Sequence, residues 1–337
     1  MKPLSIKLGR TEPSATLAVS EKARVLKSQG RDVVALAGGD PDFPTPAHII
    51  EAAEAAMRAG DTHYPASRGR PQLVEAICAK LERENGVKAA PNQVIVTPGA
   101  KWALYIALAA LLDPGDEVIT LDPSWVSYAP MIALNDGVPV AVDLPAEDGY
   151  RITEERLRSG LSERTKAILV NSPNNPTGRV LTADERAAIV RFAVSNDLYV
   201  ISDEIYEHLV FDGAHASSIA TEPGMAERTL IVNGFSKAYA MTGWRLGWLA
   251  APAQIATPAL NLHGQSVTSA ASFTMAAGVA ALNGPQDCIG AMVSAYAARR
   301  TFMVEALAGI EGIECDAPDG AFYLFPRFPN TALDSVG

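Results

Sequence analysis

The chain has 337 residues, 48% hydrophobic and 20% charged, which at ~150 residues per domain allows about two domains and excludes a disordered, collagen-like or coiled-coil protein. Lys plus Arg number 28 against 38 Asp plus Glu, a net charge of −10. An acidic chain with no basic stripe is a poor partner for nucleic acid or an anionic membrane, although a few local cations can still hold a small anion.

The N-terminal MKPLSIKLGR is not followed by an apolar core, so no secretory signal is expected. The longest apolar run, 102–112, is too short to span a bilayer. Cys78, Cys288 and Cys315 are far apart and form no CxxC pair, which suits free thiols in a reducing compartment. A cytoplasmic location is the expectation. His48, His63, His208, His215 and His263 lack metal-ligand spacing, and no glycine pattern for nucleotide phosphates is present.

In chain order, the first feature is an amphipathic helix at 18–29, followed by the strand-like VVALAGG at 33–39. From residue 94 short β-branched runs alternate with helical stretches: 94–97 before 100–112, 117–122 before 126–135, 139–143 before 153–160, and 167–171 before 182–195. Runs at 198–203, 229–234 and 245–250 complete the series. They are apolar throughout, as in strands covered on both faces, and the alternation predicts an α/β fold with a mostly parallel central sheet flanked by helices. Ligands in such sheets bind beyond the carboxyl ends of the strands, which singles out 97–101, 122–125, 171–178, 203–206 and 234–237. After Pro252 the pattern turns helical, most clearly at 286–307, and closes with strand-like GIECDA and GAFYLFPRF. Residues 47–284 are expected to form a large domain, with 1–46 and 285–337 forming a smaller one from both termini.

Lys237, in NGFSKAYAMTGWRLGW, follows an apolar strand among small neighbours. Partial desolvation there lowers an amine's pKa and makes it a usable nucleophile; taken alone, a surface lysine at a strand end describes it better. Arg245 needs an anion or a structural carboxylate. Asp203 ends LYVISD with Tyr206 close behind, and fits either a protonated heterocycle nitrogen or a helix cap. SPNNPTG at 172–178 reads as a rigid turn. TPGAKWAL at 97–104 offers free amides at a helix start, a place for an anion, and Trp125 is either packing or a stacking platform.

SPNNPTG, SDEIYEHL, the NGxxKAxAMTGWRxG pattern, PSWVSY and GGDPDF, in these places, resemble the fold-type I pyridoxal phosphate enzymes, specifically class I aminotransferases of the bacterial aspartate aminotransferase subgroup. The resemblance runs from about Pro13 to Phe325. It implies a transaminase that moves an amino group between an amino acid, aspartate or glutamate in the first place, and a 2-oxo acid by a ping-pong cycle. It further implies that Lys237 is the Schiff-base lysine, that Asp203 partners the pyridine nitrogen, and that Tyr206 and Asn175 bond the 3′-oxygen. Trp125 matches the ring stacked on the pyridine, and Gly99, Ala100, Ser236 and Arg245 match the phosphate site. Lys101, beside them, matches a cation that meets the substrate's side-chain carboxylate; Gly39, Trp125 and Asn175 also fall against substrate. Tyr64 matches a catalytic-site tyrosine that reaches the cofactor phosphate of a neighbouring subunit, which implies a homodimer.

Two departures accompany the match. The family's C-terminal segment, with an arginine that clamps the substrate α-carboxylate, has no counterpart after PNTALDSVG, so the small domain is expected to be incomplete. Either substrate binding is impaired or another cation substitutes; Arg327 is the nearest, and an exposed tail arginine is its other reading. Glu12 stands where relatives that handle prephenate often carry a basic residue, which argues against prephenate. Two further readings stay open on the sequence: another reaction on this fold, such as a C–S β-lyase, and a non-catalytic pyridoxal phosphate- or amino-acid-binding protein.

Overall fold

The structure, a computed structural model, describes residues 5–9, 15–36 and 38–329. Helices α1 (Ile6–Gly9) and α2 (Ala15–Ser28) come first, then α3 (Ala47–Arg58) and α4 (Pro71–Asn85). Pro71 opens α4, where its missing N–H costs nothing, and Gly86 closes it in the left-handed region at φ 69°. Strands and helices then alternate as β1 (Val94–Thr97), α5 (Ala100–Leu111), β2 (Glu117–Asp122), α6 (Tyr128–Leu134), β3 (Val138–Asp143), α7 (Glu154–Ser159), β4 (Thr165–Asn171), α8 (Ala183–Ser195) and β5 (Tyr199–Asp203). β6 (Thr229–Gly234), β7 (Gly247–Ala250), α9 (Ala253–Ser266), α10 (Ser272–Asn283) and α11 (Asp287–Ala308) follow.

The sheet order is β1-β7-β6-β5-β4-β2-β3, parallel except for β7, which runs antiparallel to both of its neighbours. A parallel neighbour requires a long crossover, usually helical. Between β6 and β7 the chain has only the 3₁₀ turn Thr242–Trp244, so it turns straight back. Residue 245 therefore enters β7 at the edge where residue 234 leaves β6, and Lys237 and Arg245 share the carboxyl edge of the sheet.

Successive strand residues face opposite sides. Val94, Val96 and Trp248 pack with Leu73, Ile77 and Leu81 of α4 and Met275 of α10. Ile95, Leu249 and Val232 face the other way, against Leu104 and Leu108 of α5 and Ile255 and Ala259 of α9. Ile119, Ile168 and Val200 meet Phe192 of α8 and Leu157 of α7. The central strands are covered on both faces as expected; β3 is not, because it is the edge strand and Val138 stays exposed.

Three strand-like segments depart from expectation. In VVALAGG the described residues form no strand, and Val34 and Leu36 are 79% and 81% exposed; apolar composition makes a strand only where a partner edge is available. GIECDA and GAFYLFPRF form single bridges, Glu314 with Arg327 and Val210 with Gly320. Instead of joining a sheet, GAFYLFPRF lays Ala321 and Phe322 against Tyr296 of α11 and Tyr206.

A Cβ on Gly247 would lie 2.6 Å from the Ala100 nitrogen and 2.7 Å from the Gly99 carbonyl carbon. Backbone cannot yield as a flexible side chain does, so Gly247→Ala is expected to destabilise the chain by about 1–3 kcal/mol and displace the start of α5; urea denaturation with unchanged m-value measures it.

Candidate active site

Lys237 lies three residues beyond β6, partly buried. Its Nζ donates to the Gly39 carbonyl and stands 5.6 Å and 5.4 Å from the ring centres of Tyr206 and Phe322. Burial brings its pKa down to about 8, helped by the Arg245 charge and opposed by Asp40 and Asp203. A sizeable neutral fraction is thus present near neutral pH, as a nucleophile requires.

Asp203, the last residue of β5, is 3% exposed. Its Oδ2 accepts from the Tyr128 hydroxyl at 2.8 Å and its Oδ1 from the Ile205 amide at 3.2 Å. No helix follows β5 directly, so the helix-cap reading does not hold; the Oδ1 bond closes a turn at 204–208 instead. Burial pushes the carboxyl up to about 6, against the lowering effect of Tyr128, Ile205 and Lys237. Asn171 Nδ2 donates to the Asp203 carbonyl at 2.9 Å, and Asn171 Oδ1 accepts from the Asn175 amide at 2.7 Å. This pairing follows from the parallel register, which sets Asn171 beside Asp203. Burial pushes the Tyr206 phenol well up, with Asn175 opposing, and its oxygen lies 2.6 Å from the Tyr323 hydroxyl.

The start of α5 has no side-chain cap, and Gly99 precedes it at φ 85°. Arg245, itself left-handed at φ 53°, donates to the Thr242 carbonyl at 2.8 Å and the Pro98 carbonyl at 3.5 Å. A Cβ on Gly99 would come within 2.7 Å of Arg245 Nη2, so glycine lets the guanidinium lie on the helix start. Among the described residues no carboxylate pairs with Arg245. Uncapped amides, a guanidinium and the buried Ser236 just before Lys237 make an anion seat. Lys101, in the first turn of α5, stands 4.7 Å over the Trp125 ring and donates to Ser127 Oγ at 3.3 Å; burial and Arg245 lower its pKa. Trp125 meets Tyr128 edge-on at 5.4 Å.

The remaining sequence expectations fall elsewhere. Tyr64 is 89% exposed and makes no hydrogen bond, ion pair or ring contact among the described residues. Arg327 is ion-paired with Glu314 at 3.3 Å and Asp316 at 3.6 Å, so it is not a free cation for substrate. Glu12 lies outside the described residues. Sequence reasoning gave no role to Tyr128, Asn171, Phe322 or Tyr323. The tyrosine and the aromatic pair stood inside motifs already quoted, but only the start of α6 and the return of GAFYLFPRF bring them to the site.

The donor set fits pyridoxal phosphate: a buried carboxyl with no cation on it, a desolvated amine, and an uncapped helix start under a guanidinium suit the ring nitrogen, the aldehyde and the phosphate. Comparison with known proteins agrees. The profile of the family described as Aminotransferase class I and II matches residues 31–335. An aspartate aminotransferase of Musicola paradisiaca is 44% identical over 96% of this chain and 82% of its own length. An aspartate/prephenate aminotransferase of Thermus thermophilus is 44% identical over 100% and 87%. The structure of Thermus thermophilus aspartate aminotransferase with maleate superposes with a TM-score of 0.92 at 44% identity, covering 97% of this chain and 85% of that one. The chain belongs to the class I and II aminotransferases. It is a pyridoxal phosphate-dependent transaminase on the fold-type I architecture, and neither a lyase nor a non-catalytic binder is favoured.

Because the carboxyl of Asp203 is raised, its contribution to stability is present below the ordinary carboxylate pKa and is lost as pH climbs through about 6. By pH 7 the loss amounts to about 3 kcal/mol in the cofactor-free chain. Asp203→Asn should remove it: relative to the parent, the cofactor-free variant gains stability between pH 4.5 and 7 in urea melts, while its turnover falls.

Proposed function

We propose that the chain transfers the amino group of aspartate or glutamate to 2-oxoglutarate or oxaloacetate. The observation that carries this reading is Lys101, a cation over Trp125 at the mouth of the anion seat with no carboxylate of its own among the described residues. The relatives named for aspartate support it.

Bound pyridoxal phosphate supplies an aldehyde for an amine and a protonated ring that draws electrons from the substrate Cα. Lys237 would hold the cofactor through its Nζ. Freed, that amine would take the proton from the substrate Cα and redeliver it, a task suited to an amine whose pKa is about 8. Asp203 would keep the ring nitrogen protonated, and Tyr128 keeps that carboxylate aimed. Asn175 and Tyr206 would offer hydrogen bonds to the 3′-oxygen, and Trp125 would stack on the ring. Gly99, Ala100, Ser236 and Arg245 would hold the phosphate, with Lys101 adding charge beside them. Gly39, Trp125 and Asn175 contact the substrate, and Lys101 meets its side-chain carboxylate. The bare surface of Tyr64 supports its service to the partner's phosphate in a homodimer.

Residues 47–284, which carry the whole sheet, form the cofactor domain in this reading, with 1–46 and 285–337 as the smaller one. Three free cysteines support a cytoplasmic setting. Among the described residues no helix is long and apolar enough to cross a membrane.

Lys237→Ala should lower turnover by more than about 10⁴-fold while the chain stays folded; retained turnover in a coupled keto-acid assay would falsify the assignment. Lys101→Met should raise KM for aspartate about 10- to 100-fold and leave alanine nearly unaffected, because one charge-assisted contact is lost. An equal rise for both substrates removes the dicarboxylate reading.

A further inference from the structure

Behind the site lies a buried polar cluster that touches none of the groups assigned to cofactor or substrate. Lys80 of α4 has a side chain 1% exposed, and Glu207, one residue after Tyr206, 7%. Lys80 Nζ donates to Glu207 Oε1 and, at 2.7 Å, to Asn85 Oδ1. Asn85 Nδ2 donates to Glu207 Oε2 at 2.5 Å. The fourth member is Asn233 of β6, 2% exposed, whose Nδ2 donates to Glu207 Oε1 at 2.6 Å. Asn233 Oδ1 in turn accepts from the Gly234 amide at 2.7 Å, fixing the strand end that leads to Lys237. Burial pushes the Glu207 carboxyl up, but Lys80, His208 and Asn85 together bring it below its ordinary value, so it is a charge, not an acid.

We infer that Glu207 is a positioning residue for transamination: its carboxylate, balanced by Lys80, ties the turn that carries Tyr206 to the strand end that carries Lys237. This rests on the assignment of those two residues to the cofactor. A buried ion pair is a poor source of stability, since an apolar pair of like volume often does as well. What the pair does supply here is a joint between three elements, α4, the turn at 204–209 and β6, with all of its hydrogen bonds directed. The turn also meets β6 through the backbone, where the Glu204 amide donates to the Val232 carbonyl at 2.9 Å, but among the described residues Asn233 is the side chain that carries the cluster to the lysine strand.

The experiment separates support from positioning. Glu207→Gln leaves the buried Lys80 ammonium with only Asn85 and, at 3.6 Å, Glu84, and is expected to lower both Tm and kcat. Lys80→Met with Glu207→Met removes both charges and is expected to regain most of the lost Tm, the Asn85 and Asn233 amides losing their acceptor, yet to keep kcat down by roughly 10²-fold with KM for aspartate nearly unchanged, the scale of a small misplacement of reacting groups. The pH midpoint of the bound cofactor's visible absorbance should move as well, because Tyr206 no longer sits squarely on it. Asn233→Ala, which cuts only the link, should reproduce the kcat loss and the absorbance shift, and it decides alone if the double variant does not fold. Parental kcat and absorbance in a folded double variant, or in Asn233→Ala, overturn the proposal. Retained turnover in Lys237→Ala would instead overturn the underlying site assignment, so the two failures are distinguishable.

Discussion

The structure depends on keeping a buried carboxylate and a largely buried amine near each other without letting them cancel. Asp203 and Lys237 feel each other's charge but form no ion pair; Asp203 is held by Tyr128 and the Ile205 amide, and Lys237 by the Gly39 carbonyl. Had they met, each charge would be spent on the other, with no place for a ring between them. Each is therefore displaced from its ordinary titration range, the acid upward and the amine downward, because burial disfavours both charges. The instability is local, and in the proposed reading a cationic ring nitrogen on one side and an aldehyde on the other would relieve it.

The sheet makes that arrangement possible. Parallel strands end on one edge, so β4, β5 and β6 deliver Asn171, Asp203 and the Lys237 loop side by side. The reversed β7 returns Arg245 to the same edge and lets Gly247 back directly onto the start of α5. The anion seat is thus built from two close backbone approaches, one at Gly99 and one at Gly247, each of which a side chain would close.

Much of this was legible in the amino-acid order. Unbroken apolar runs between helical stretches pointed to the sheet, and the strand-end rule singled out the segments holding Lys237, Asp203, Asn175 and the helix start, while the roles proposed for them came from the resemblance. What was not legible depends on contacts distant in sequence. Tyr128 is a buried aromatic until α6 sets its hydroxyl on Asp203, and Lys80 is an ordinary helix lysine until α4 lies against Glu207. VVALAGG and GIECDA misled for the opposite reason, since their composition suits a strand but, among the described residues, neither pairs with an edge of the sheet, and GIECDA makes only the single Glu314–Arg327 bridge. The direction of β7 was hidden because RLGWLA looks the same read either way into a sheet.

The short return between β6 and β7 has a consequence for how this protein can change. In the proposed reading the covalent anchor and the phosphate grip belong to one uninterrupted stretch, 237–245, clamped at both ends by neighbouring strands. Side chains within it can be exchanged one at a time, but any gain or loss of a residue would shift both functions together. A residue gained or lost in a surface loop away from this edge would leave both in place, so the length of this stretch constrains the site more tightly than any one of its side chains.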